Sequence, residues 1–448
     1  MRLESRPPCT PLIFFEADAD GGIKTFMNAG PKYQTEMPGH QHRSADIVIA
    51  GGGLAGLSMA LALSKGPLDI VLVDALEPSR QLADIFDGRV SALSFSSRRL
   101  MQAIGVWEAL SSHAQPINDI VVSDGTLENG ASPFFLHFDH SEIGEGPLGH
   151  LIENRHIRRV FFEAIERTSN IHLIAPENVA SLTTQGETTI ARLRSGLSIQ
   201  ARLGIVAEGR ASQLRKQAGI RTIGWNYKQS GIVVTVEHEY AHDGIAHEYF
   251  LPGGPFAILP MLGRRSSLVW TEPTAKAQAL LALDDESFQT ELTLRIGDVH
   301  GNAYAVGPRW SYPLSLTLAR SYIAERLALI GDSAHAIHPL AGQGFNLGLR
   351  DVAALAQIVV DHARLGLDIG STVALEEYQR WRRFDSLTLA VFTDGMNRLF
   401  SNDIAPLRLL RDVGLSLVGS VGPVRRTFMR HAAGAVGELP RALKGEAI

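Results

Sequence analysis

The sequence predicts an α/β (α+β) fold: a discontinuous Rossmann-like dinucleotide-binding domain combined with an antiparallel β-sheet substrate domain and C-terminal helices. A strand, glycine turn, helix and second strand begin at Asp46, and a further strand, glycine-rich turn and helix run from Ala328 onwards. The segments between them alternate in hydrophobicity and are rich in Gly and Pro, as antiparallel sheets are. Nucleotide-binding parts therefore lie before and after two β-rich insertions, and we expect a substrate between the two domains.

The expected boundaries follow from these patterns. The nucleotide-binding domain is expected at 45–115, 151–215 and 320–386, the β-rich substrate domain at 116–150 and 216–319, and a helical tail at 387–448. Residues 1–44 show no periodicity and no apolar core of a signal peptide, so we interpret them as a flexible extension. Helices are also expected around 275–296, at 372–383 and at 388–433.

Composition excludes several classes of function. The chain has 448 residues, of which 45% are hydrophobic, enough for a large core. A net charge of −5 without a long Lys/Arg run argues against nucleic acid as a partner. The single cysteine, Cys9, excludes internal disulfides and a Cys-x-x-Cys redox centre. No stretch reaches the roughly 18 to 20 apolar residues of a membrane span. We expect a cytoplasmic protein and predict no metal site.

The first glycine-rich turn follows the apolar strand DIVIA. Gly51, Gly53 and Gly56 have the spacing G-x-G-x-x-G, and Asp74 follows about twenty residues later, at the end of the strand DIVLV. The first glycine permits a tight turn, the second lets the backbone approach a pyrophosphate, and the third packs helix against strand. Asp74 can accept hydrogen bonds from a ribose. The glycine spacing alone is a weak signal, but strands on both sides and the acid at this distance favour dinucleotide binding.

The second turn places a carboxylate and a helix N-terminus in one crevice. Asp332 closes an apolar strand, and Gly342-Gln343-Gly344 precedes a long amphipathic helical pattern. Unpaired N–H groups and the positive end of the helix dipole favour a negatively charged ligand, such as a reduced isoalloxazine. Asp332 is expected to be a buried acceptor for ribityl hydroxyls. A strand, a tight turn and a core helix without a ligand would also explain Gly331-Asp332 taken alone.

Three motifs in this order resemble one family. GGGLAG with Asp74, the stretch 206–215, and GDSAHAIHPLAGQGFNLGLRD are similar to the single-component FAD-dependent aromatic hydroxylases of the para-hydroxybenzoate hydroxylase fold. RVSALSFSS and FTDGMNRLFSND further resemble the UbiH/UbiF/Coq6 group of ubiquinone-biosynthesis hydroxylases. The resemblance extends from about Asp46 to the C-terminus.

The resemblance implies which residues contact FAD: Gly51, Gly53, Gly56, Asp74, Arg89, Arg155, Asp332, Gly342, Gly344 and Asn346. The first four would hold the ADP half, the two arginines the pyrophosphate, Asp332 the ribityl chain, and the last three the flavin ring. Taken from the sequence pattern alone, Arg89 is equally well explained as a solvated arginine at a helix start. The middle motif usually contains Asp-Gly, whereas this chain has Glu208-Gly209, whose longer side chain puts its part in cofactor handling in doubt.

The implied activity is an FAD-dependent monooxygenase that consumes NAD(P)H and O2 and hydroxylates a phenol or quinone precursor. With one nucleotide fold, NAD(P)H would bind transiently as a co-substrate. Two alternatives stay open: a non-catalytic flavin-binding scaffold of a biosynthetic complex, and a related flavin oxidoreductase such as a polyprenyl reductase. The sequence lacks the W-x-W-x-I-P motif of flavin halogenases. We assign no catalytic base, because packing explains His335 and His338 better.

Two further expectations concern the substrate and the membrane. The apolar β-rich insertions, including FLPGGPFAILPM, suit a phenol with a long prenyl tail, although ordinary sheet core explains them equally well. The tail at 406–430 mixes apolar residues with arginines and is broken by Gly and Pro, which favours peripheral contact with an anionic membrane surface. Packing on the catalytic body or in a dimer contact is the alternative, so a homo-oligomer or a biosynthetic complex stays open.

Overall fold

The computed structural model describes residues 15–17, 23–25, 42–82, 88–126, 130–142, 146–339, 342–400 and 438–448. In these ranges, no helix is both long and apolar enough to cross a lipid bilayer. Met1–Pro38 is one unit, in which β1 (Phe15–Ala17) and β2 (Ile23–Thr25) pair antiparallel. Gly39–Ile448 is the other unit, and every feature below belongs to it.

A six-stranded sheet forms the nucleotide-binding core. Its spatial order is β11 (Ile171–Ile174), β5 (Ile70–Val73), β4 (Ile47–Ala50), β15 (Leu203–Val206), β22 (Leu327–Leu329) and β21 (Ile323–Ala324). All neighbours pair in parallel except the last two strands. The packed helices are α1 (Leu54–Leu63), α5 (Asn154–Glu166) and α9 (Gln343–Arg364). Covered on both faces, the inner strands are short runs of Ile, Val, Leu and Ala.

Two smaller sheets flank this core. The first has the order β6 (Val90–Ser94), β10 (Gly149–Glu153) and β7 (Gln115–Ile117), and the second β12 (Val179–Gln185), β13 (Thr188–Leu193), β14 (Ser198–Ala201) and β3 (His42–Ser44). The shorter helices of this unit are α2 (Pro78–Gln81), α3 (Phe95–Ala103), α4 (Trp107–Ser111), α6 (Gln213–Gln217) and α11 (Arg441–Lys444). Strand β3, whose residues were expected in the extension, pairs in parallel with β14.

The C-terminal helices differ from the expected pattern. Helix α10 runs without interruption from Thr372 to Phe400, where two helices separated near residues 384–387 were expected. Those four residues contain no Gly or Pro, and Asp385 accepts hydrogen bonds from Arg382 in the same helix and from Arg350 in α9. The expected tail at 406–430 lies outside the described residues.

The large sheet has eight strands. Its order is β23 (His335–Ala336), β20 (Ala303–Ala319), β16 (Thr222–His238), β19 (Arg265–Pro273), β18 (Gly254–Met261), β17 (Ile245–Leu251), β8 (Asp119–Thr126) and β9 (Gly130–Asp139). Only β17 and β8 pair in parallel among these strands. Two helices, α7 (Thr274–Leu281) and α8 (Asp285–Ile296), replace the single expected one, because Asp284 accepts from the Ser287 backbone N–H (2.7 Å) and starts a new helix.

The two faces of this sheet differ in exposure. On the closed face, Ile232, Val234 and Leu268 are fully buried in one cluster with Phe288 and Leu292 of α8. The open face carries the alternate residues, and one row of directly paired positions crosses seven strands of it: Trp310, Val233, Val269, Ala257, Glu248, Val122 and Leu136. Several members of this row are only half-buried. The open face is therefore incompletely covered by the residues that the structure describes.

Candidate functional site

The turn after β4 can be built only from glycine at three positions. Gly51 has φ +110° and its N–H donates to the Val73 carbonyl (2.8 Å). A Cβ on Gly51 would lie 2.4 Å from the Ala207 carbonyl oxygen, and one on Gly56 would lie 1.9 Å from the Gly51 oxygen. A Cβ on Gly52 would collide with the Asp74 carboxylate. This packing holds the turn against both neighbouring strands.

The structure brings Asp74 to this turn. Its carboxylate accepts hydrogen bonds from the Gly52 N–H and from the Leu76 N–H (2.6 Å). Burial raises the pKa of Asp74, and these two hydrogen bonds partly oppose that rise. The acid is thus fixed beside the glycine turn, as the sequence spacing predicts.

Two helices begin in open space without a side-chain cap. Gly53 precedes α1, and Gly342 (φ +64°) precedes α9. At neither helix start does a side chain accept a hydrogen bond as an N-cap. A Cβ on Gly53 or on Gly344 would meet no atom within 4 Å. By contrast, the α6 and α8 starts are capped by Ser212 and Asp284. The N-termini of α1 and α9, which lack a side-chain cap, therefore suit an anionic ligand.

The Gly331 turn lies between these two helix starts. A Cβ on Gly331 would approach the Ala55 side chain of α1 to 3.1 Å, and a Cβ on Gly348 of α9 would approach the Gly331 Cα to 3.4 Å. Asp332 follows on a single turn of 3-10 helix. Its side chain is 43% exposed, contrary to the expected burial, because it points away from the core and pairs with Arg210 (3.2 Å).

A buried ionic network holds this turn in place. Asp351 of α9 is fully buried and accepts from the Gly331 N–H (3.0 Å), from His335 Nε2 (2.5 Å) and from Arg382 Nε (2.8 Å). Burial opposes ionisation of Asp351, but His335 and Arg382 bring its pKa below the usual value. Removing one partner from a buried charge pair costs about 3–5 kcal/mol. The network therefore fixes the strand end relative to α9 and α10.

Glu208 uses its longer side chain locally. Its Oε2 accepts from the Ser212 hydroxyl (2.6 Å) and from the Leu214 N–H (3.0 Å), at the start of α6. The adjacent Gly209 N–H donates to the Ser333 hydroxyl (3.0 Å), which links this loop to the Gly331 turn. The departure from Asp thus has a structural use within the described contacts.

Three other predicted residues lie around the site with defined partners. Asn346 is buried; its amide donates to the Ala92 carbonyl (2.8 Å) and accepts from the Ser94 N–H (3.0 Å). Arg155 pairs with Glu153 (2.6 Å), and Arg89 is exposed, 6.0 Å from the Tyr312 ring. Asn346 therefore ties α9 to β6, and direct cofactor contact by these three side chains stays a prediction.

Both histidines of the second motif are packed. His335 belongs to the Asp351 network. His338 is 1% exposed, meets the Tyr227 ring edge-on at 5.2 Å, and burial lowers its pKa to about 4. A neutral, buried imidazole fits the expected packing role.

Three residues of the site are not evident from the local sequence: Gly52, Arg382 and Glu248. Gly52 is the middle glycine of GGG and is not part of the G-x-G-x-x-G spacing. Arg382 lies thirty-one positions from its partner Asp351, so no local pattern connects the two. Glu248 stands between Ala246 and Phe250 on one face of β17, but His247 and Tyr249 on the other face obscure this pattern in the sequence.

The arrangement fits FAD. A pyrophosphate suits the uncapped N-terminus of α1, and a ribose suits the carboxylate beside Gly52. An anionic ring suits the uncapped N-terminus of α9. The open positions at Gly53 and Gly344 leave room for close approach of such a ligand to the backbone.

Comparisons with known proteins agree with this geometry. The model of the FAD binding domain family matches residues 44–382. The chain is 46% identical to the ubiquinone hydroxylase UbiL of Rhodospirillum rubrum over 420 residues, covering 93% of this chain and 96% of the relative. It is 32% identical to the 3-demethoxyubiquinol 3-hydroxylase of Escherichia coli over 399 residues, covering 88% and 99% of the two chains.

The fold is also similar to that of a solved structure. The p-nitrophenol 4-monooxygenase PnpA of Pseudomonas putida superposes with a TM-score of 0.73 at 16% identity, covering 89% of this chain and all of that one. At this identity the likeness concerns the fold alone.

Proposed function

The chain belongs to the FAD binding domain family that includes the ubiquinone hydroxylases, and from that premise we propose that it is an FAD-dependent monooxygenase hydroxylating a prenylated phenol in ubiquinone biosynthesis. The observation that carries the proposal is the pair of uncapped helix starts, at Gly53 and Gly342, on either side of the Gly331 turn. Backbone N–H groups at the starts of α1 and α9, two helices packed on one sheet, would hold the two ends of a long dinucleotide.

Each part of the site would hold one part of FAD. The residues proposed to do so are Gly51, Gly53, Gly56 and Asp74 for the ADP half, Arg89 and Arg155 for the pyrophosphate, Asp332 for the ribityl chain, and Gly342 and Gly344 for the ring. Asn346 would act from behind, by fixing β6 against α9. When bound, FAD supplies the redox chemistry, taking a hydride from NAD(P)H and delivering oxygen from O2 to the aromatic ring of the substrate.

The chain itself binds and orients the substrate. The open face is apolar along most of its central row and lies beside β6, so a phenol ring and hydrocarbon tail could replace water there. The Asp351 network keeps the Gly331 turn fixed while the substrate enters and the product leaves. NAD(P)H would bind transiently, because the described residues contain one dinucleotide-binding sheet of this type.

The decisive experiment combines flavin release with oxygen labelling. Purified protein should be yellow and should release FAD on denaturation, because no residue is proposed to attach it covalently. NAD(P)H oxidation should accelerate when 2-farnesylphenol is added, and product formed under isotopically labelled O2 should carry one labelled oxygen. Bound FAD without phenol-stimulated turnover would support the scaffold alternative instead.

Asp332 and Glu208 provide a matched pair of variants. Asp332→Ala should weaken FAD binding about tenfold, since a hydrogen bond to an ionised carboxylate contributes roughly 1.5 kcal/mol or more. Glu208→Ala should change FAD binding less, because Glu208 caps α6. Equal FAD occupancy in the wild type and in Asp332→Ala would overturn the assignment.

We also propose peripheral membrane contact through the sequence at 406–430, since a polyprenylated substrate resides in the bilayer. After flotation, the full chain should be found with the anionic liposomes, and a chain ending near Asp403 should stay in the soluble fraction. The truncated form must first be shown to hold FAD. If both forms stay with the soluble fraction at low salt, the membrane role is wrong.

A homo-oligomer or a biosynthetic complex remains part of the proposal, to be tested by the mass of the protein in solution.

A further inference from the structure

A carboxyl group lies in the central row of the open face, where its directly paired neighbours are apolar. Glu248 is in register with Ala257 on β18 and Val122 on β8. On its own strand, the residues of the same face are Ala246 and Phe250, which are both buried. Glu248 is 9% exposed and has no hydrogen-bond or ion-pair partner among the residues that the structure describes. An unpaired carboxyl in such surroundings is energetically costly.

The neighbours of Glu248 connect it to both walls of the space above the sheet. Ala246 packs in one cluster with Ala92 of β6, and a Cβ on Gly342 would lie 3.3 Å from the Ala92 side chain. Phe250 packs in another cluster with helix α10. Glu248 therefore lies between α10 and the strand that meets the α9 N-terminus, where the flavin ring is proposed to bind.

The charged groups on the packed elements do not neutralise Glu248. They are Asp124 on β8, Glu153 on β10 and Asp394 on α10. Glu153 pairs with Arg155 (2.6 Å) and Arg265 (3.7 Å), and Asp394 pairs with Arg398 (3.0 Å). Along β8, β17 and β18, the described residues include neither Lys nor Arg. Burial raises the pKa of Glu248 to about 8, so the carboxyl is mostly protonated at neutral pH.

Resting on the proposed function, we propose that Glu248 recognises the ring hydroxyl of the substrate. Its O–H donates a hydrogen bond to the phenol oxygen, and its second oxygen accepts one from the phenol O–H. A neutral phenol satisfies this carboxyl without adding charge. A benzoate carboxylate would bring a second acid beside Glu248, where strands β8, β17 and β18 offer no Lys or Arg. Glu248 therefore selects uncharged phenols, whose hydrocarbon groups can lie along Ala257, Val269 and Val233.

Three variants test this role in the FAD-loaded protein. Glu248→Gln keeps a donor and an acceptor but cannot ionise, and Glu248→Leu removes both. Tyr249→Phe is the matched control, because Tyr249 is the next residue of β17 and faces the closed side. The probes are 2-farnesylphenol and 4-hydroxybenzoate, with Kd measured from the flavin absorbance and KM and kcat from product formation.

Binding should separate the variants by pH. Above pH 8 the wild type should lose affinity for 2-farnesylphenol by up to about tenfold per pH unit, since the apolar ligand would then cover an ionised carboxylate that has no cation beside it and no longer donates. Glu248→Gln should bind like the wild type at pH 7 and stay flat up to pH 9. Glu248→Leu should bind about tenfold more weakly at pH 7, with KM affected more than kcat. The wild type should bind 4-hydroxybenzoate at least about tenfold more weakly than the prenylated phenol.

Stability gives a readout independent of turnover. The pKa of Glu248 is raised on folding, so the unfolded chain loses its proton first as pH rises from about 4.5 to about 8, and folding stability falls over that window. Glu248→Gln should therefore be more resistant to urea than the wild type, with a difference that grows between pH 5 and pH 8.

The outcomes distinguish this inference from the proposed function. A wild type that hydroxylates 2-farnesylphenol while Glu248→Leu binds it equally well, or while Glu248→Gln keeps the wild-type pH dependence, overturns the role of Glu248 alone. A wild type that binds neither probe contradicts both proposals.

Discussion

Adjacent residues on one strand show that the two faces of the large sheet differ in burial. Val234 is 1% exposed and packs with α8 on the closed face, whereas Val233, the residue before it, is half-buried on the open face. Two glutamates show the same contrast. Glu272 accepts from Trp270 (3.0 Å) and pairs with Lys276 (3.1 Å), while Glu248 has no partner among the described residues.

Among the described residues, helices cover the closed face of the sheet, whereas the open face is covered only in part. On the closed face, helices cover the apolar groups, and Lys276 and Arg295 pair with Glu272. The open face leaves apolar surface and one acid unsatisfied, which is the condition a ligand can relieve. Stability should therefore depend on the closed face, and substrate binding on the open one.

The largest effect is expected when the closed face loses a buried ring. Phe288→Ala should lower the free energy of unfolding by about 3–5 kcal/mol, because the side chain is fully buried and would leave a cavity. Urea unfolding of the FAD-saturated protein measures this. Leu294→Ala, on the same helix but 54% exposed, is the control and should cost less than about 1 kcal/mol. Similar losses for the two variants would break the comparison.

Acid should act on the closed face through its histidines. His247 and His300 lie at its edge with ring centroids 5.7 Å apart, and burial lowers both pKa values to about 4. As pH falls from about 6.5 to 4, the unfolded chain gains protons that the folded chain cannot accept, so stability decreases. The loss between pH 7 and pH 5 should be about 2 kcal/mol per histidine.

His300→Gln should remove one such contribution from the pH dependence of urea unfolding. His137→Gln is the control, because its side chain is 45% exposed. If both variants keep the wild-type acid sensitivity, burial of His300 does not drive it.

The smallest stability effect is expected on the open face. Val269→Ala should cost less than about 1 kcal/mol, because the side chain is half-buried beside the proposed ligand space. Val234→Ala, on the closed face, should cost about 2 kcal/mol from lost burial and a cavity. A larger loss for Val269→Ala than for Val234→Ala would reverse the two roles.

Short-range patterns predicted much of the fold and the cofactor site. The glycine turn at Gly51 and its partner Asp74 are connected by strand spacing, and the helix after Gly342 by periodicity, so both are readable from sequence. The fold, the family and the FAD cofactor are confirmed by the comparisons. Individual cofactor contacts and domain boundaries stay predictions.

The rest depends on tertiary contacts that no local pattern encodes. The Arg382–Asp351 pair joins two helices, and the half-exposed Asp332 pairs with Arg210 from another loop. Glu248 was missed because β17 carries polar residues on both faces, and only the register across the sheet shows which face lacks partners.

The most direct test of the account is the KM for 2-farnesylphenol in Val233→Phe, measured together with FAD content. A larger ring in the central row should occupy the space proposed for the substrate. The account predicts a KM at least about tenfold higher, corresponding to about 1.4 kcal/mol of lost binding, with FAD content unchanged. An unchanged KM in a variant that holds its full complement of FAD would contradict the assignment of the open face to the substrate.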